Sequence, residues 1–323
     1  MNTTVNGSTC SSPVDSTVEK IGKTVTFCLF LVVSLVGNSI IAVMVYKTQT
    51  MRKAINYFIV NMAVSDLLFS VTLFPPLLTK LFVDSWLING ALGQALCKLS
   101  YFLPTISTFV SVQSLILITV DRYGAVVYPL RAPLISSKLC FFCILGTWIV
   151  AMTINSPYLF AFKLVEYPGI LACKRRWTDA FGESSSEAGY FLGRYVILLY
   201  IPLLLMTTLY AVIVFKLKTQ IFPGERSAMA VEKRTKRDKK VLKLAIAIVL
   251  GFTICWVPTS IMILLKFLAW DGGLPCGAIL FWDITLFMAD ANCVINPCIC
   301  VILSSNYRQE LKRFLKCFCV TQK

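Results

Sequence analysis

The chain has 323 residues, 57% of them hydrophobic and 15% charged, with a formal net charge of +15 and a mean hydropathy of +0.75. A soluble domain of this length cannot hide so much apolar surface, so lipid is its solvent. The chain has no histidine, which removes Ser-His-Asp triads and histidine-ligated zinc, and no glycine-rich phosphate cradle occurs; an enzyme is disfavoured.

Residues 1-23 are polar and carry two N-glycosylation acceptors, Asn2-Thr3-Thr4 and Asn6-Gly7-Ser8. Seven stretches then have the apolar length of about 20 residues that a membrane-crossing helix needs, near 24-46, 57-82, 99-123, 139-161, 190-215, 241-268 and 278-303. Their breadth favours helices over barrel strands. Lys47, Arg52, Lys53, Arg131, Lys138, the run from Lys216 to Lys240 and the tail from Arg308 fall on one side of these stretches. Retention of positive charge makes that side cytoplasmic. The expected topology is an extracellular N-terminus (1-23), a seven-helix membrane domain (24-303) and a cytoplasmic segment (304-323) in a plasma-membrane protein, with the first span able to start translocation itself. The basic loops lie beside membrane, so anionic lipid rather than nucleic acid is their expected partner.

Four of the 13 cysteines, Cys10, Cys97, Cys173 and Cys276, fall on the oxidising outer side. Cys97 with Cys173 would tie the long second outer loop over the bundle mouth, and Cys10 with Cys276 would tether the N-terminus to the third outer loop. Four cysteines allow three connectivities, and spacing alone does not choose among them. On the inner side, Ser304–Leu315 places Tyr307, Leu311, Phe314 and Leu315 on one helical face, as expected of a short amphipathic helix lying on the membrane. Cys317 and Cys319 beside it are candidate palmitoylation sites.

Charged residues inside the spans are costly and mark function. Asp66 lies mid-span, and Asp121-Arg122-Tyr123 closes the third span at its cytoplasmic rim. Together with Gly37-Asn38, Asn61–Asp66, Trp148, Pro202 with Tyr210, Phe252 with Cys255-Trp256-Val257-Pro258, and Asn296-Pro297, these residues resemble the rhodopsin-like (class A) family of G-protein-coupled receptors. The resemblance runs from Thr24 to Cys319. It implies an all-α bundle of seven transmembrane helices with a short amphipathic eighth, an extracellular ligand, and a heterotrimeric G protein as inner partner.

The resemblance also assigns expected roles. Arg122 is the switch, paired with Asp121 and with Asp238 at the start of the sixth span, or released to meet the G protein. Tyr123 and Tyr210 belong to the same inner machinery, while Trp256, Phe252, Pro258, Asn296 and Pro297 form an activation core, with Pro258 expected to kink its helix. Asp66, Ser111, Asn292 and Asn296 match a group that encloses an allosteric sodium ion in similar receptors; no other cofactor is expected. The alternative is a protonated Asp66 bonded to Asn38 and Asn296 without an ion. One departure stands out: the family's tyrosine three residues after the Asn-Pro proline is Cys300 here, and a thiol cannot replace a phenol in reaching Tyr210 through water.

Asp290 occupies the position of the retinal-bearing lysine and Pro104 that of the amine-binding aspartate, so neither retinal nor an amine has its usual anchor. The neuropeptide-receptor branch fits best, with Lys80, Pro104, Arg194, Lys266, Asp283 and Asp290 as ligand-binding candidates. Arg194 and Asp290 have a second reading as a buried pair, and Lys80 and Lys266 as snorkelling side chains. Small-molecule or lipid receptors of the same family, a weakly signalling receptor-like protein, and a transporter or channel are the alternatives.

Overall fold

A computed structural model describes residues 3–5, 8–10, 16–128, 133–219, 225–270 and 272–321, with side chains over 17–128, 133–136, 138–219, 235–236, 238–270 and 272–313. Asn2 and Asn6, and the side chains of Cys10, Cys317 and Cys319, lie outside that description. A two-stranded hairpin, β1 (Thr3–Val5) and β2 (Ser8–Cys10), precedes the long helices α1 (Ser16–Lys47), α2 (Ala54–Phe82), α3 (Gly90–Val127) and α4 (Ser137–Asn155). After the short α5 (Pro157–Ala161) come the strands β3 (Phe162–Tyr167) and β4 (Ile170–Arg175), then α6 (Trp177–Phe181) and α7 (Glu187–Tyr195). A π-turn over Val196–Tyr200 joins α7 to α8 (Ile201–Lys218), and α9 (Glu225–Leu268), α10 (Ile279–Asp290), α11 (Asn292–Leu303) and α12 (Ser305–Thr321) complete the chain.

Among the described residues, six helical stretches are long and apolar enough to cross a membrane, and α10 with α11 supplies a seventh if that bent pair is counted as one span. Several extend past the apolar stretches that announce them: α1 begins at Ser16 rather than near 24, and α3 at Gly90 rather than near 99. A helix satisfies its own backbone in lipid and in water alike, so the ladder continues into the polar zone until a turn stops it. The seventh stretch departs from the single helix expected over 278-303. It bends by 49° between α10 and α11, where Val294 N–H reaches back to Ala291 O at 3.1 Å.

Pro297 follows that bend inside α11. It has no N–H for the carbonyl four residues earlier, that of Cys293. Asn38 of α1 meets this carbonyl through Nδ2 at 2.9 Å. Its neighbour Gly37 lets the helices approach: a Cβ there would stand 2.9 Å from Pro297 Cβ and 3.0 Å from its Cγ. Gly251 of α9 performs the same service toward α11, where a Cβ would lie 2.8 Å from Ile295 Cγ2. Close approach through small residues is how helices associate in lipid, which offers no hydrophobic drive between them. Asn61 ties three spans more directly. Its Nδ2 donates to Ser114 Oγ at 2.9 Å and Thr147 Oγ1 at 3.2 Å, and its Oδ1 accepts from Trp148 Nε1 at 2.9 Å.

On the outer side the second loop is a hairpin rather than an irregular lid. Pro168-Gly169 makes its turn, with Gly169 at φ +76°, as a type II turn requires at its third residue. The Cys97–Cys173 disulfide, with Cα atoms 5.6 Å apart, fastens β4 to α3. Leu164 N–H donates to Gln94 Oε1 at 2.9 Å and Trp86 N–H to Leu171 O at 2.6 Å, so both strands are held to the bundle top.

On the inner side α12 is the expected eighth helix. Tyr307 is its anchor, buried against the main core, and its hydroxyl donates to Asn56 Oδ1 of α2 at 3.2 Å. Burial pushes that hydroxyl well above the usual tyrosine range, which keeps it a donor. Thr48 Oγ1 donates to Glu310 Oε2 at 3.1 Å, adding a second link to the first inner loop. Cys300, fully buried, packs in the same core.

Gly37→Val should lower the thermal stability of the detergent-solubilised receptor by about 1–3 kcal/mol, the usual cost of overpacking, with Gly37→Ala less affected. Tyr307→Phe keeps the ring but leaves Asn56 Oδ1 unmet, so a loss of about 1 kcal/mol and faster amide exchange confined to α12 and the first inner loop are expected.

Candidate functional site: rim, core and mouth of the bundle

Three polar zones lie along the bundle axis. At the inner rim Arg122 donates through Nε to Asp121 Oδ2 at 3.1 Å, with Nη2 on the same oxygen. Asp121 is buried, so this pair is sheltered from solvent screening. The expected bridge from Arg122 to Asp238 is not formed among the described residues. Asp238 engages a different group, and Asp121 already holds the guanidinium. Tyr123 meets Tyr128 edge-on with ring centroids 6.1 Å apart. Tyr210 is held from the third span, its hydroxyl accepting from Thr119 Oγ1 at 3.0 Å.

The middle zone surrounds Asp66, 2% exposed. Asn296 Nδ2 donates to Asp66 Oδ2 at 2.9 Å, joining the second span to the seventh. Ser111 Oγ exchanges a hydrogen bond with Ser65 Oγ at 2.9 Å. Ser70 Oγ donates to Ser34 Oγ at 2.6 Å and to Asp66 O at 2.8 Å, and Asn38 Nδ2 also reaches Ser34 Oγ at 3.1 Å. Three buried acceptors here, Asn38 Oδ1, Asn292 Oδ1 and Asn296 Oδ1, receive no hydrogen bond. Asn38 is thus bonded to Ser34 and Cys293, not to the Asp66 carboxylate as the ion-free alternative supposed. Just above, Phe252 and Trp256 lie with centroids 6.2 Å apart at 24°, and Trp256 Nε1 is buried without an acceptor. Pro258 sits within an uninterrupted α9. The next residue, Thr259, donates to Thr285 O at 2.6 Å, and Tyr200 shares a hydrogen bond with Ser260 at 2.8 Å, so α9 is bonded to spans seven and five in the turn just after this proline.

The outer zone differs most from expectation. Asp283 is not free: Lys23 binds it at 2.9 Å and Glu19 at 2.6 Å, clasping α1 to α10. Lys266 lies over Trp282, its Nζ 5.6 Å from the ring centroid, and Lys80 is exposed at the outer end of α2. Pro104 is buried within α3. Arg194 and Asp290 do not pair. Arg194 turns toward spans three and four, where its guanidinium stands 5.2 Å from the Phe109 ring, 5.4 Å from Tyr158 and from Phe191, and 5.0 Å from Tyr195. Its Nη1 donates to Asn155 Oδ1 at 3.3 Å, while its Nε is buried without an acceptor. The Asp290 side chain has no hydrogen bond or ion pair among the described residues; only its backbone carbonyl is used, by Cys293 Sγ at 3.2 Å. Cys276 is disulfide-bonded, with a partner outside the described side chains.

Asn155, Tyr158, Phe109 and Lys23 were not foreseen as site residues. A lysine near the outer end of an apolar helix is a readable sign of an acid nearby. The aromatic shell of Arg194 comes from three separate elements, α3, α5 and α7, and no spacing announces it.

The sequence profile of the family described as 7 transmembrane receptor (rhodopsin family) matches residues 37–299. The chain is 30% identical over 305 residues to a QRFP-like peptide receptor of Branchiostoma floridae, covering 91% of this chain and 78% of that protein. It is 27% identical over 296 residues to the RYamide receptor of Drosophila melanogaster, covering 88% of this chain and 62% of the receptor. To galanin receptor 2a of Danio rerio it is 27% identical over 304 residues, with 93% and 79% covered. A profile match spanning most of the chain, on a helical bundle with this rim and core, makes the protein a member of the rhodopsin family of G-protein-coupled receptors, related to neuropeptide receptors.

Proposed function

We propose that the chain is a plasma-membrane receptor, N-terminus outside and C-terminus inside, that binds an extracellular peptide beneath the β3–β4 hairpin and activates a heterotrimeric G protein. The observation that carries the ligand reading is that Arg194 and Asp290, two ionisable residues inside the bundle, each lack an opposite charge among the described residues. Intramembrane charge is costly and is retained where it serves binding or switching. The relatives named for peptide ligands support the same class. A bond from Cys276 to Cys10 would draw the N-terminus over the same mouth.

Activation follows from differential contacts. A ligand seated above Trp256 favours a packing in which α9 leaves its bonds to Thr285 and Tyr200, and Arg122 exchanges Asp121 for the G protein. Asp66, Ser111, Asn292 and Asn296 fit a sodium ion that holds the resting packing, because they supply one carboxylate and two unbonded buried oxygens, and hard cations take oxygen ligands.

Screening peptide pools on cells that express the chain with a promiscuous G protein tests the reading. Ligand-dependent nucleotide exchange is expected, and Arg122→Gln should reduce it by about tenfold or more at equal surface level, since charge-assisted contacts to a partner carry about 2 kcal/mol. Sodium should lower basal exchange in the wild-type receptor, and Asp66→Asn should remove that sodium dependence while leaving the receptor at the surface. Measurable ion or solute flux without nucleotide exchange would move the chain to the transporter class.

A further inference from the structure

The outer mouth is sorted by charge. Its acids are mostly consumed: Glu187 pairs with Arg175 at 2.5 Å, Asp179 with Arg176 at 3.0 Å and Asp283 with Lys23 at 2.9 Å. Asp84, Glu166 and Glu183 remain, exposed in loop turns and at the far end of the hairpin, and deeper in the bundle Asp290 at the end of α10 is an unpaired acid among the described residues. The lysines are not consumed. Lys80, Lys174 and Lys266 have no carboxylate within ion-pair distance among the described residues. Like charge also stands near two of them: Lys80 feels the field of Lys174, and Lys266 lies between the opposing fields of Arg175 and Glu187. In the hairpin register Lys163 stands directly opposite Lys174, a placement that weakens a strand pair. Folding gains nothing from this arrangement.

Beneath the hairpin the same sign continues inward. Phe191 has two cations near its ring, Arg175 at 4.7 Å and Arg194 at 5.4 Å from the centroid. Arg194 is 8% exposed, is always charged and has a buried Nε–H with no acceptor. Aromatic faces and one amide oxygen offset part of the cost of burying that charge. They do not supply the planar, two-oxygen partner that a guanidinium fits best.

We propose that the ligand is an acidic peptide, drawn in by Lys80, Lys174 and Lys266, and that one of its carboxylates seats on Arg194 under the hairpin. This rests on the receptor reading above and adds the ligand's chemistry to it. A cationic mouth raises the encounter rate of an anionic ligand and makes it salt-dependent. The buried guanidinium then fixes the orientation.

Random peptide pools of net-acidic, neutral and net-basic composition, applied to cells expressing the full chain with a promiscuous G protein, test the proposal. Activity should concentrate in the acidic pools. Arg194→Gln should weaken the potency of an active pool by about tenfold or more, with Arg194→Lys recovering part of it, at surface levels matched through an N-terminal tag. Lys80→Gln with Lys174→Gln and Lys266→Gln should flatten the dependence of potency on salt. Activity confined to neutral or basic pools, or an Arg194→Gln potency within about twofold of wild type, overturns the acidic ligand and leaves the receptor reading intact. If no pool activates, labelled oligoglutamate on intact cells decides: saturable, salt-sensitive binding above untransfected cells that Arg194→Gln reduces supports the proposal, and binding equal to untransfected cells overturns it. A chain that supports no nucleotide exchange in any arm, yet binds oligoglutamate in this way, removes the receptor reading and keeps the anion site.

Discussion

The carbonyl of Cys293 is the point on which the bundle depends. Pro297 cannot bond it, and an unmet carbonyl in hydrocarbon costs several kcal/mol. Asn38 reaches it from the first helix at 2.9 Å, and Gly37 removes the side chain that would hold that helix away. One dipeptide thus fills the space beside the proline ring and completes the backbone that the proline left open. The broken seventh span is tolerable because the first span repairs it, and Asp66, bonded to Asn296 on the next turn, inherits its position from that repair.

Charge is distributed by the same logic of completion. Where a charge fastens structure it is matched, as with Lys23 between Glu19 and Asp283, which clasps α1 to α10, or Arg122 on its neighbour Asp121 within α3. Where it faces the volume beneath the hairpin it is left open, as with Arg194 and Asp290. The contrast separates fastening from recognition more clearly than burial does, since Asp121 and Arg194 are almost equally buried.

Much of this was legible in the sequence because lipid allows few solutions. Apolar length fixed the spans, positive charge their expected orientation, and the ordered motifs the family. The eighth helix followed from periodicity, while compartment left the Cys97–Cys173 bond as one of three connectivities. What escaped was the pairing of side chains across elements. Asp283 read as a vestibule acid because its partner, Lys23, lies 260 residues away. The second reading of Arg194 and Asp290, as a buried pair, fails because Arg194 reaches from α7 toward Phe109 and Asn155. The β3–β4 hairpin was not read from the sequence, although Pro168-Gly169 lies between short runs that include Val165, Tyr167 and Ile170.

The family's phenol is lost from position 300, but a phenol reappears seven residues later, at Tyr307. Its hydroxyl meets Asn56, while Asn56 Nδ2 holds Met51 O at 2.6 Å in the first inner loop. The ends of spans one, two and seven on the Arg122 side of the bundle are therefore latched into a single plate by a residue that lies beyond the membrane crossing. Rearrangement on the G-protein side must carry this plate as a rigid piece or unlatch it, which sets the boundary between the moving and stationary halves of the inner surface.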